Sequence, residues 1–346
     1  MKSSRIAGID IIKALAAFFV VSVHFLLNTN FYEMRLNGNG MIILTAARHL
    51  LLICVPLFLL ATGYLNRNKE PNKEYYKSII KVIISYIFIA IICILFRKYY
   101  FGEEKRFLAM ITSIFNFSAN GYSWYIEMYI GLFILIPYIN TLYKSLETKK
   151  RKRNLIFSFI ALTSLPLLLN GIKVLDYRIF CMPDWWIDIY PITYYLIGSY
   201  IAEYKPKLPV KRNLLYILIV WLVHTFVYWI INKGGYFYKP FLGQYQNIMT
   251  MFLAVLVFIL LYEKDIKNIL LKKVVTTIST ISLDIYLVSY LVDLKIYSII
   301  KPLASTPKEH VLIMLPTAII VFVTSFILAY IKNTLFKIIE KTKKST

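Results

Sequence analysis

Residues 10–25 read DIIKALAAFFVVSVHF. Ile9 precedes this stretch and Leu26 and Leu27 follow it, so the apolar run is about 20 residues long, enough for one helix to cross a bilayer core of about 30 Å. Two ionisable groups interrupt it, Lys13 and His24. They are eleven positions apart. Eleven helical steps of about 100° return to within about 20° of the start and rise about 16 Å. Both side chains therefore lie on one stripe, Lys13 near the start of the helix and His24 near its end. Ionisable groups inside a membrane helix are costly and tend to face a cavity or a partner. The plainer readings are a lysine that snorkels to the nearer headgroups and a histidine with a satisfied interfacial hydrogen bond.

The rest of the chain has the same character. Of its 346 residues 59% are hydrophobic and 17% charged, against roughly 45–50% and 25% in soluble domains. The net charge of +22 does not imply nucleic acid, because the basic residues punctuate apolar runs instead of forming a soluble basic face. Ten candidate spans follow: 9–27, 42–65, 77–96, 122–143, 154–170, 187–203, 213–231, 247–262, 278–299 and 311–331, with 107–118 as a partial or interfacial helix. The expectation is an all-α, polytopic membrane protein: one transmembrane domain over 1–346 with a basic tail at 332–346.

Orientation comes from the loops. With the N-terminus in the cytoplasm, the inner segments hold 25 lysines and arginines and the outer ones 11. Both termini are thus expected inside. The first span reads as an uncleaved helix, since its small residues (ALAA, 14–17) lie within the apolar run and not after it. Aromatic residues at span ends, among them Tyr99, Tyr100, Trp185, Trp186, Tyr236 and Tyr238, fit an interfacial belt. Three cysteines, Cys54, Cys93 and Cys181, form no pattern, so neither a disulfide framework nor a metal site is expected. No phosphate-binding loop, dinucleotide fingerprint, HExxH or GxSxG is present.

Other polar residues in the spans are candidates. Glu127, one turn into the fourth span on the side of His24, is placed to orient an imidazole or to meet water at the interface. Arg48, His49 and His224 read as interfacial or structural. Asp293, near Lys295, reads as facing interfacial water. Lys77 and Lys81, one turn apart, join Arg67 and Lys69 in a cationic patch suited to phosphates.

Several phrases carry a resemblance. GIDIIKALAAFFVVSVHF (8–25), VPLFLLATGYLNRNK (55–69), KSIIKVIISYIF (77–88), WYIEMYIGLFILIP (124–137) and SLDIYLVSYL (282–291) follow, in order, phrases of the membrane acyltransferase 3 family of bacterial glycan O-acyltransferases. The first is similar to that family's R-x10-H helix preceded by an Asp, here Asp10. Lys13 stands in place of the Arg, Thr62 in place of a Ser, and Ser289 where a His is common. A lysine keeps the charge but loses the bidentate fork.

The resemblance implies an integral-membrane O-acetyltransferase of the bacterial cell membrane. It would take acetyl from cytoplasmic acetyl-CoA and pass it to a hydroxyl of a capsule, exopolysaccharide or other envelope glycan. It implies His24 as general base, Lys13 on the donor pathway, Glu127 orienting the base or binding acceptor, and Arg5, Lys13, Arg67, Lys69, Lys77 and Lys81 toward the coenzyme's phosphates. The implied partners are membrane lipid, the acyl-CoA donor, the glycan acceptor and polysaccharide-synthesis machinery. A transporter or flippase of glycan intermediates, or a non-catalytic membrane subunit, stand as alternatives.

Overall fold

The computed structural model describes residues 5–170, 173–174, 177–178, 182–237 and 242–345. Cys181, Tyr238, Lys239 and Lys2 of the sequence reading lie outside the described residues.

In chain order the helices are α1 (Ala7–Asn28), α2 (Gly38–Leu51), α3 (Cys54–Asn66), α4 (Lys73–Phe101), α5 (Phe107–Phe115), α6 (Trp124–Ser145), α7 (Lys149–Thr163) and α8 (Leu165–Asn170). They continue with α9 (Tyr190–Tyr204), α10 (Val210–Asn232), α11 (Ile248–Leu261), α12 (Ile269–Thr280), α13 (Ser282–Ile300) and α14 (Pro307–Ser345). A two-residue antiparallel pair, β1 (Lys173–Val174) with β2 (Tyr177–Arg178), lies between α8 and α9. The chain is a polytopic, all-helical membrane protein. Among the described residues seven helical spans are long and apolar enough to cross a membrane, or eight with the bent pair α12–α13. The sixth and eighth expected spans are the shorter helices α9 and α11, of 15 and 14 residues.

Two expected spans are broken. The second divides at Leu52–Ile53 into α2 and α3. Pro56 supplies no N–H to the carbonyl of Leu52, so a continuous helix would lose that bond. The ninth is preceded by α12, which meets α13 at 71° across Ile281. The tie that holds this bend lies in the family-like first phrase. Arg5 donates to both oxygens of Asp10, at 2.6 and 2.9 Å, and also to the Thr276 carbonyl and the Thr280 hydroxyl. Ser279 donates to Asp10 at 2.6 Å. Asp10 thus pins α12 across the start of α1.

Helix ends gather at two ends of the bundle. At the end carrying Arg5, Asn140 donates to the carbonyls of Asn66 and Lys69, Lys152 pairs with Glu203 and Lys207 with Glu263. At the other, which carries Asn28, Arg35 bridges Tyr236 and Gly40 abuts Pro307. Helix α1 is central, packed against α2, α3, α11, α12, α13 and α14. Helices α3 and α9 cross with their backbones in contact. A Cβ on Gly63 would run into the Tyr195 carbonyl, and one on Gly198 into that of Leu60. Where lipid tails are as apolar as leucine, such small-residue crossings allow helices to gain dispersion energy.

A buried charge pair locks α4, α13 and α14 together. Lys332 donates to Asp284 at 2.9 Å and to Ser85 at 2.6 Å, and Ser85 also bonds Asp284. Cys54 and Cys93 are buried free thiols.

Candidate active site

The site begins with the last turns of α1. The helix stops at Thr29, whose backbone N–H and hydroxyl both return to the Phe25 carbonyl. Asn28 likewise donates back to the His24 carbonyl at 2.9 Å. This ending fixes His24 one turn inside the helix, 7% exposed.

Tyr122, Asp293 and Tyr286 surround the imidazole, and Asn28 backs Tyr122. Tyr122, just ahead of α6, lays its ring on His24 with centroids 3.7 Å apart. Asp293 of α13 sets Oδ2 3.6 Å from His24 Nδ1. Tyr122 donates its hydroxyl to that same Oδ2 at 2.5 Å, and Asn28 donates to the Tyr122 hydroxyl at 2.8 Å. Tyr286 supports the group from below by bonding the Tyr122 carbonyl. Nε2 makes no hydrogen bond among the described residues and is not one of the sealed, unpartnered atoms. The imidazole thus has a carboxylate 3.6 Å from Nδ1, at ion-pair distance but longer than a hydrogen bond, and no protein partner at Nε2 among the described residues, an arrangement that suits a general base beside an orienting acid.

Asp293 corrects the sequence reading. It does not face interfacial water but is 2% exposed and lies against His24. Its signal was its place in the SLDIYLVSYLVD phrase, two turns beyond Tyr286. Glu127, expected to orient the base, is exposed, and its side chain makes no hydrogen bond or ion pair among the described residues. Arg48 and His49 are buried, not interfacial, at 3% and 0% exposure. Arg48 donates to the Tyr32 hydroxyl and the Gly243 carbonyl, both at 2.9 Å. His49 stacks on His224 at 3.8 Å, and His224 Nε2 meets the Leu242 carbonyl at 2.7 Å.

Below His24 a cavity of about 230 Å³ runs toward the Arg5 end. Lys13, Leu65 and Asn66 line its mouth side, and Tyr125 and Tyr286 its deep side. Tyr286 lies 6.0 Å from the His24 ring, so the cavity stops one aromatic ring short of the imidazole. Lys13 makes no hydrogen bond or ion pair among the described residues; its ammonium is available to an anion.

The other expected phosphate contacts are dispersed. Arg67 follows Asn66 directly and keeps a buried, unpartnered Nη1. Lys69, Lys77 and Lys81 are exposed on the same end. Arg5 is not free, because its guanidinium serves the Asp10 tie.

A buried histidine beside a carboxylate, one ring beyond a cavity lined by a lysine, is the candidate site of this membrane-embedded chain. The chain belongs to the acyltransferase family whose model, described as an acyltransferase domain, matches residues 6–334. No curated protein and no solved structure matches it.

Proposed function

We propose that this acyltransferase moves an acetyl group from cytoplasmic acetyl-CoA to a hydroxyl of a cell-envelope polysaccharide, from the plasma membrane of a bacterium. The observation that carries the reading is the buried His24–Asp293 pair, one aromatic ring beyond the deep end of the cavity that Lys13 lines. In this reading the Arg5 end faces the cytoplasm, in keeping with the excess of lysine and arginine there. The coenzyme's phosphates stay at that end with Lys13 and Arg67, assisted by Lys69, Lys77 and Lys81. The acylated arm extends along the cavity, over the roughly 16 Å that separates Lys13 from His24 on α1.

Beside the imidazole, past the Tyr286 ring that closes the cavity, the acceptor hydroxyl attacks the thioester carbonyl carbon. His24 Nε2 takes the hydroxyl proton as the new C–O bond forms. The C–S bond breaks as the tetrahedral intermediate collapses, and His24 returns the proton to the departing thiolate. Asp293 holds the imidazole and stabilises its protonated form. Such a base contributes about 10²–10⁴-fold.

The test compares O-acetylation of envelope glycans in cells carrying wild type or His24→Ala at equal membrane abundance. Loss of O-acetyl in the variant supports the reading. Equal O-acetylation in the two removes His24 as the base.

A further inference from the structure

A second hollow opens at the Asn28 end. It is a cleft of about 710 Å³ whose walls include one face of α6, from Trp124 and Glu127 to Leu135. The opposite walls are the start of α9, with Asp188 and Tyr190, and the loop before α11, with Gln244, Tyr245 and Gln246. We infer that this cleft is the acceptor subsite and that it takes an uncharged saccharide. The inference rests on the acyl-transfer reading and adds to it the place and chemical class of the acceptor.

Four features support it. First, the cleft combines flat rings with hydroxyl partners. Trp124 and Tyr245 stack at 5.6 Å and 24°, and Tyr190 lies 6.4 Å beyond. Sugar rings present C–H faces that sit on aromatic faces and hydroxyls that need acceptors and donors in the plane. Glu127 and Asp188 are acceptors, and the amides of Gln244 and Gln246 serve as both. Second, Gln246 lines the cleft, is 9% exposed, and carries an Oε1 with no hydrogen-bond partner among the described residues. Third, the charged side chains on the cleft walls are carboxylates, which disfavour a uronic acid or phosphate there.

Fourth, packed rings connect the cleft wall to the base. Rings follow one another from Trp124 to Tyr125 at 6.0 Å, to Tyr286 at 6.0 Å and to His24 at 6.0 Å. Tyr122, Trp124 and Tyr125, within one turn of chain, touch the base, the cleft and the donor cavity in that order. The buried cluster away from the reacting centre now has a role. Arg48 and His224 grip the Gly243 and Leu242 carbonyls, and Tyr194 grips that of Tyr245 at 2.6 Å. They are positioning residues for the loop that carries Gln244, Tyr245 and Gln246.

The experiment uses the full-length protein in membranes and, as probe, the alkali-deacetylated envelope polysaccharide of the expressing strain, split by anion exchange into neutral and acidic fractions. Equilibrium binding is read for wild type, His24→Ala, Trp124→Ala and Glu127→Gln, and transfer kinetics are read in parallel. The neutral fraction should bind wild type and His24→Ala equally. Binding should weaken about 10–100-fold in Glu127→Gln, the cost of losing hydrogen bonds to a charged acceptor, and at least tenfold in Trp124→Ala. In both, the loss should appear in the KM for the glycan, while the KM for acetyl-CoA stays within threefold of wild type. Unchanged binding in both cleft variants, no binding to wild type, or preference for the acidic fraction overturns the inference. Binding that follows this pattern without any acetyl transfer overturns the proposed reaction instead and leaves the cleft standing.

Discussion

Replacing Asp293 by Asn isolates the orienting carboxylate with little change of shape. Both groups are nearly buried, and Oδ2 lies 3.6 Å from Nδ1. At an effective dielectric of about 20, a unit pair at that distance interacts by about 4–5 kcal/mol, an upper bound on what the carboxylate gives the protonated imidazole. That corresponds to about three decades in rate. A second effect acts in the same direction. An amide nitrogen facing Nδ1 favours the tautomer with the proton on Nε2, which then cannot accept one. We expect Asp293→Asn to lower kcat about 10²–10³-fold. Asparagine keeps the shape of aspartate, so membrane abundance and thermal stability should hold. The assay is release of CoA thiol coupled to appearance of base-labile O-acetyl in the glycan, at saturating donor. A kcat within threefold of wild type, at equal abundance, refutes the pairing argued from the geometry.

Other outcomes follow from the same contacts. Lys13→Ala should raise the KM for acetyl-CoA at least tenfold with little change in acceptor KM, whereas Lys13→Arg should keep or improve it; donor titrations decide. Asp284→Ala leaves Lys332 buried without its carboxylate and should cost about 3–5 kcal/mol. The double change Asp284→Leu with Lys332→Met should recover most of that loss, read as thermal unfolding in detergent. Gly63→Ala forces α3 away from the Tyr195 carbonyl, so about 1–3 kcal/mol is lost; an unshifted melting temperature contradicts the backbone contact.

At the Asn28 end, the hydrogen bond from Arg97 holds Glu103 below the usual carboxylate range. The Arg97–Glu103 clip, closed at 2.8–2.9 Å, contributes above the unfolded carboxylate pKa and is lost as pH falls through the lowered folded value. Exchange of the 97–106 amides should rise only in that acid range. Glu103 is about a third exposed, so the effect is small.

The sequence carried the class of fold, because apolar runs and alternating basic loops are one-dimensional signals. It carried His24 and Lys13 because a helical stripe follows from spacing alone. It did not carry Asp293, since an acidic residue about two turns from a span's end looks the same whether it faces water or a histidine 269 positions earlier. The choice between Glu127 and Asp293 as partner of His24 depends on how α6 and α13 rotate about α1, and packing decides that. The broken spans were half legible. Pro56 marks the α2–α3 break, but the 71° bend at Ile281 has no proline or glycine and is held by Arg5, Asp10 and Ser279 from across the bundle. Arg5 likewise read as a phosphate ligand because its tie to Asp10 and α12 is tertiary.

The central claim is a relay, with donor entering at the Arg5 end and the acyl group leaving from His24 on the other side. Sealed membrane vesicles of either orientation, supplied with acetyl-labelled acetyl-CoA from outside, test it directly. Labelled O-ester is expected on the glycan only in vesicles that expose the Arg5 end, and none there with His24→Ala. Equal labelling from both faces, or labelling that survives His24→Ala, would contradict it.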